Sequence, residues 1–180
     1  MQGMIWGISG LLLLALAACT GERPVATAKP AAATLEPQFA MLAAPPPPSD
    51  PMQCVPYARQ VSGIDLRGDA WTWWGQAKGR YARGKKPRLG AVLVFQKTRA
   101  LPRGHVSVVT RIIDAREILI THSNWSSGSD TRGQVTSDVR VVDISPGNDW
   151  SEVRVWNGSD FGRPYAATGF IYRVPTASGA

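Results

Sequence analysis

After Gly79 the apolar residues of this chain stop recurring at helical spacing and begin to alternate, in short runs parted by turn residues. A period of two is the mark of half-buried strands. It predicts strands over Ala91 to Phe95, His105 to Ile113, Glu117 to Ser123, Gln134 to Asp143, Val153 to Val155 and Gly169 to Val174. Ahead of them the pattern is helical. A proline inside a helix is tolerated only in the first turn, where its missing N–H has no partner to lose. A helix over Cys54 to Val61 that contains Pro56 must therefore start close to Cys54, with Tyr57, Ala58 and Val61 inward and Gly63 ending it. A second helix is expected from Asp69, a good N-cap, to about Lys78, with Trp71 and Trp74 three apart and Gly79 as its stop. Helices first and antiparallel strands afterwards predict an α+β domain whose helices pack on one sheet.

The N-terminus predicts export. The uncharged run from Met4 to Ala18 is shorter than the roughly 20 apolar residues of a membrane span and ends in small residues, as a secretory signal does. Leu16-Ala17-Ala18-Cys19 resembles a bacterial lipobox, which implies cleavage before Cys19 and acylation of its sulfur. Two or more acyl chains give stable anchoring. Cleavage at a neighbouring small residue, giving a soluble periplasmic form, is the alternative. Thr20 rather than Asp follows Cys19, which by resemblance to enteric lipoproteins favours the outer membrane. Residues 20–49 are dominated by Ala and Pro, with four consecutive prolines at 45–48. They bury too little apolar surface to fold and are expected to be a tether reaching up to about 90 Å. The expected organisation is thus a signal segment (1–18), a lipidated N-terminus and tether (19–49), one domain (50–175) and a short disordered tail (176–180).

The chain has two cysteines and two histidines. With Cys19 acylated or removed, Cys54 has no partner for a disulfide and stands out as a reactive thiol. At the first turn of a helix it meets unpaired N–H groups and the positive end of the dipole, which predicts a lowered thiol pKa. A cysteine hydrolase must draw its base from His105 or His122. His105 opens a strand behind Gly104, and the strand period places Ile118, Ile120, His122 and Asn124 on one face. A zinc site built from Cys54, His105 and His122 lacks the closely spaced ligand pairs of such sites, and no metal or cofactor is expected. Net charge is +7, and nine basic residues with no acidic one lie between Lys78 and Arg103. Such a run suits an acidic polymer or anionic lipid; export argues against nucleic acid. Trp73, Trp74 and Trp125 are candidates for sugar stacking, with core packing expected for at least one of them.

Five segments together resemble the CHAP family, the cysteine, histidine-dependent amidohydrolases and peptidases of bacteria and phages. They are Gln53-Cys54-Val55-Pro56-Tyr57-Ala58-Arg59, Trp73-Trp74-Gly75-Gln76-Ala77, Pro87-Arg88-Leu89-Gly90-Ala91-Val92, Gly104-His105-Val106-Ser107-Val108-Val109 and Thr121-His122-Ser123-Asn124-Trp125. The resemblance implies a papain-like fold, Cys54 as nucleophile, His105 as base, Asn124 as orienter of the base, and Gln53 with the Cys54 N–H as oxyanion hole. Many members carry an acidic residue two positions before that Asn. Here His122 occupies that position, so the third group is Asn124 or His122, and the sequence favours Asn124, because two protonated imidazoles would repel. The implied substrate is peptidoglycan, cut at the muramoyl-L-alanine amide or at a stem or cross-bridge peptide bond by a monomeric periplasmic enzyme. A wall-binding lipoprotein without turnover is the alternative.

Overall fold

The computed structural model describes residues 52–125 and 132–175. The expected signal segment, Cys19, the tether and the 176–180 tail lie outside them. Helix α1 is Cys54–Ser62, and Gly63 ends it in the left-handed region at φ 69°, its N–H donating to the Arg59 carbonyl. A side chain at that position would strain the cap. The buried face is Tyr57, Ala58 and Ser62; Val61 is half-buried.

The expected second helix is shorter and differently wound. A 3-10 turn, Ala70–Thr72, leads into α2, Trp73–Gln76. The Asp69 side chain makes no cap and instead pairs with Arg103 at 3.3 Å. Of Trp71, Trp73 and Trp74, it is Trp73 that is fully buried in the core, whereas Trp71 is 44% exposed.

Seven strands follow: β1 Tyr81–Gly84, β2 Val92–Phe95, β3 His105–Ile112, β4 Glu117–Ser123, β5 Val135–Asp143, β6 Glu152–Val155 and β7 Tyr165–Pro175. They pair antiparallel in the order β1-β7-β2-β3-β4-β5-β6, and β6 pairs again with β7. Strands β2 to β7 therefore close into a six-stranded antiparallel barrel, with β1 attached outside it. This overturns the expected papain-like α+β arrangement of helices on a sheet. The described chain is mostly strand, and its two helices are short.

The reason lies in β7. Along one side its residues Ala167 to Ile171 pair with β2. Along the other, Tyr165 and Ala166 pair with β6, and Phe170 to Pro175 pair with β1. One eleven-residue strand thus joins both ends of the sheet, which leaves the six barrel strands without a free edge.

Alternate residues of the wall feed two apolar clusters. Leu93, Phe95, Val109, Ile118, Ile120, Val141, Trp150 and Phe170 fill the interior. Val92, Val94, Val106, Val108 and Ile171 point outward and pack with Ala58, Ile64, Leu66, Trp73 and Ala77. Helix α1 lies against β3 and β4. Its N-terminus consequently meets the strand that begins with His105.

Candidate active site

Pro56 confines the helix to a start at Cys54, so the thiol sits in the first turn. Burial pushes that thiol above its ordinary pKa, and the N–H groups of Val106, Val55 and Cys54 itself only partly oppose this. The lowered value expected from the helix terminus is therefore not what the surroundings give, because desolvation of the thiolate outweighs the nearby dipoles.

His105 is the first residue of β3, paired across to Phe95. Gly104 before it has φ +67°, and a Cβ there would lie 2.7 Å from the Trp71 nitrogen and 2.8 Å from the Phe95 carbonyl oxygen. Only glycine allows this approach of the 3-10 turn to the strand. Gln53, Cys54, Gly104, His105, Asn124 and Trp125 all line one cavity of about 530 Å³, with Asp69 and Arg103 also in its wall.

The Nε2 of His105 lies 3.1 Å from Nδ1 of His122. Both rings are buried, at 3% and 1% exposure. Trp125 stacks on His122, with centroids 5.2 Å apart at 28°, and meets His105 edge-on at 4.7 Å. Desolvation lowers the His122 pKa to about 3. Desolvation first, and then the neighbouring His122, hold His105 well below the ordinary histidine value. Both rings are thus neutral near pH 7. His122 and Trp125 also line a second cavity, of about 350 Å³, together with Thr136, Asp138 and Trp156.

Asn124 is placed differently from expectation. Its φ of 59° takes it off the strand face that carries His122. Its Nδ2 donates to Gln53 Oε1 at 2.7 Å, and its Oδ1 accepts from the Gly133 N–H at 2.9 Å. Among the described residues the hydrogen bond to the His105 ring comes from His122, not Asn124. Gly133 carries no signal in the sequence; its carbonyl accepts from Met52 N–H at 2.8 Å and from Ser123 Oγ at 3.2 Å, which ties the residues before α1 to the end of β4.

The basic run is not one free patch. Arg83 lies over Trp74 at 4.7 Å, Arg88 over Tyr172 at 4.3 Å and Lys97 over Trp71 at 5.8 Å. Lys85 faces Asp149 at 4.0 Å. Of the run, Arg103 reaches the Cys54 cavity.

Comparison with curated proteins finds no match. The model of the CHAP domain family matches residues 46–124, a span that holds Cys54, His105, His122 and Asn124 and stops before β5, β6 and β7. Such a domain implies a function of the peptidoglycan-hydrolase type, carried out by cysteine- and histidine-dependent amidohydrolases or peptidases. Residues 46–124, which bring the cysteine at the head of a helix and the histidine at the head of a strand to one cavity, match the CHAP domain family.

Proposed function

We propose that this chain is a peptidoglycan hydrolase that cuts an amide bond of murein through a thioester on Cys54, with His105 as the base and His122 as the group that orients it. The observation that carries this reading is the 3.1 Å contact between the two imidazoles behind the cavity that Cys54 and His105 share. A neutral pair of imidazoles bonds with one donor and one acceptor. If Nε2–H of His105 donates to Nδ1 of His122, Nδ1 of His105 keeps its lone pair and is free to take a proton.

The thiol proton passes to that Nδ1 as sulfur bonds to the substrate carbonyl carbon. The carbonyl oxygen becomes an oxyanion, held by the Gln53 side-chain NH2 and the Cys54 N–H. Collapse breaks the C–N bond, and His105 returns the proton to the departing amine. Water then attacks the thioester, giving its proton to His105; the C–S bond breaks, and His105 reprotonates the thiolate. Because the thiol is pushed up and the imidazole down, the resting pair is neutral, and the proton moves during attack rather than before it.

The bond is either the muramoyl-L-alanine amide or a peptide bond of the stem or cross-bridge. Mass spectrometry of the products from defined muropeptides tests this. A free muramic acid residue with an intact stem identifies an amidase, and a shortened stem identifies an endopeptidase. Intact muropeptides, with binding retained, point instead to a wall-binding module. The reading includes export, acylation of Cys19, and the 19–49 tether holding a monomeric domain in the periplasm, on the inner face of the outer membrane. It rests on the Leu16-Ala17-Ala18-Cys19 run and the Ala- and Pro-rich segment after it.

A further inference from the structure

We infer that Asn124 is a positioning residue for the oxyanion hole: it fixes which end of the Gln53 amide is presented to the substrate. This rests on the thioester reading above and gives Asn124 a role other than holding His105.

The two ends of a side-chain amide are alike in shape and opposite in chemistry, one a donor and one an acceptor. Which end faces which neighbour is settled by the hydrogen-bond network. Here the network has a fixed origin. The backbone N–H of Gly133 can only donate, so the atom of Asn124 that it meets at 2.9 Å must be the oxygen Oδ1. The other end of Asn124 is then the donor Nδ2, so the atom of Gln53 that it meets at 2.7 Å must be the oxygen Oε1. With Oε1 so engaged, what Gln53 has left for the cavity it lines is its NH2 group. That is the polarity an oxyanion needs; the reverse would place a carbonyl oxygen against the developing negative charge.

The origin of the relay is itself held. Gly133 carbonyl accepts from Met52 N–H, the residue before Gln53, and from Ser123 Oγ, the residue before Asn124. Both amides therefore sit on backbone that is tied to the donor that sets them. Asn124 has φ 59°, in the left-handed region that Asn and Asp enter more readily than other residues bearing a Cβ.

Asn124→Asp separates this role from that of an orienter. A carboxylate still accepts from Gly133 N–H, and it would accept from an imidazole as well as an amide does. It has no donor for Gln53 Oε1. The Gln53 amide is therefore expected to turn over, donate to the new carboxylate and point its oxygen at the oxyanion. Loss of one oxyanion donor costs about 10²- to 10³-fold in kcat. Asn124→Asp is expected to show a loss of that order, with KM changed by no more than a few-fold. Gln53→Ala should lose a similar amount, and the double variant no more than either single one, as members of one unit do. Asn124→Gly, which suits the backbone and frees Gln53, should lose less than Asn124→Asp.

A second readout needs no turnover. In 15N-labelled protein the Gln53 side-chain amide protons should move downfield in Asn124→Asp, where they meet a carboxylate, while the rate of Cys54 alkylation stays unchanged. An Asn124→Asp protein with near wild-type kcat, losses that add in the double variant, or an unmoved Gln53 resonance would overturn the relay even with the thioester mechanism intact. Wild-type protein that leaves murein uncut would overturn the hydrolase reading, and the Gln53 resonance would still decide for or against the relay.

Discussion

Burial decides what the two histidines are able to do. His122 is expected to stay unprotonated at working pH because desolvation lowers it to about 3, so its Nδ1 is an acceptor for His105. The repulsion between two charged imidazoles, which favoured Asn124 as the orienter on sequence grounds, does not arise when neither ring is charged. In initial rates on soluble muropeptides, Cys54→Ala and His105→Ala should be inactive. His122→Ala should lose about 10²- to 10⁴-fold, and His122→Gln, which offers a carbonyl acceptor, should retain more. The same burial sets the pH profile. A base held below its ordinary value remains neutral as pH falls through about 6.5, so the acid limb of kcat/KM should lie lower than that. The thiol is displaced the other way, and alkylation of Cys54 by iodoacetamide should have its midpoint above the free-thiol value of about 8.5. A midpoint near 7 would indicate a preformed thiolate and contradict the neutral pair.

At the scale of elements, the junction between the 3-10 turn and β3 depends on Gly104. Alanine there takes on the left-handed penalty of about 1–2 kcal/mol, and its Cβ collides with two backbone atoms as well. Gly104→Ala should shift the urea midpoint downward by more than that penalty alone and lower kcat, since His105 follows directly. Local rules made several of these elements legible. Pro56 placed the start of α1, Gly63 placed its end, and alternation located β4 to the residue. The closing pair was not legible, because periodicity tells which residues share a face but not which edges meet. The contact of Glu152 and Val153 with Ala166 and Tyr165 is a long-range choice. β1, four half-buried residues inside the basic run, has no alternation to reveal it. A period of two extended past Ser123 misplaces Asn124, because the backbone leaves the strand there. A helix terminus is visible in sequence and the depth of burial is not, so the sequence alone predicts a lowered thiol pKa where burial raises it.

For the whole molecule, the buried histidines couple folding to pH. Below about 6.5 the unfolded chain takes up protons that the folded one refuses until much lower pH, about 3 for His122. Stability is therefore full above about 6.5 and declines as pH falls toward that lower value. Urea unfolding at a series of pH values should show the decline, and His122→Gln should lessen it. Attachment is a separate matter: palmitate should label the wild type and not Cys19→Ser, and equal labelling of both would end the lipoprotein assignment. The central claim is that Cys54 performs hydrolysis of murein with the paired imidazoles behind it. Release of soluble fragments from dye-labelled purified murein tests it most directly, with wild type, Cys54→Ala and His122→Ala compared at equal concentration. Release by wild type, none by Cys54→Ala and a trace by His122→Ala is the expected result; equal release by wild type and Cys54→Ala would contradict it.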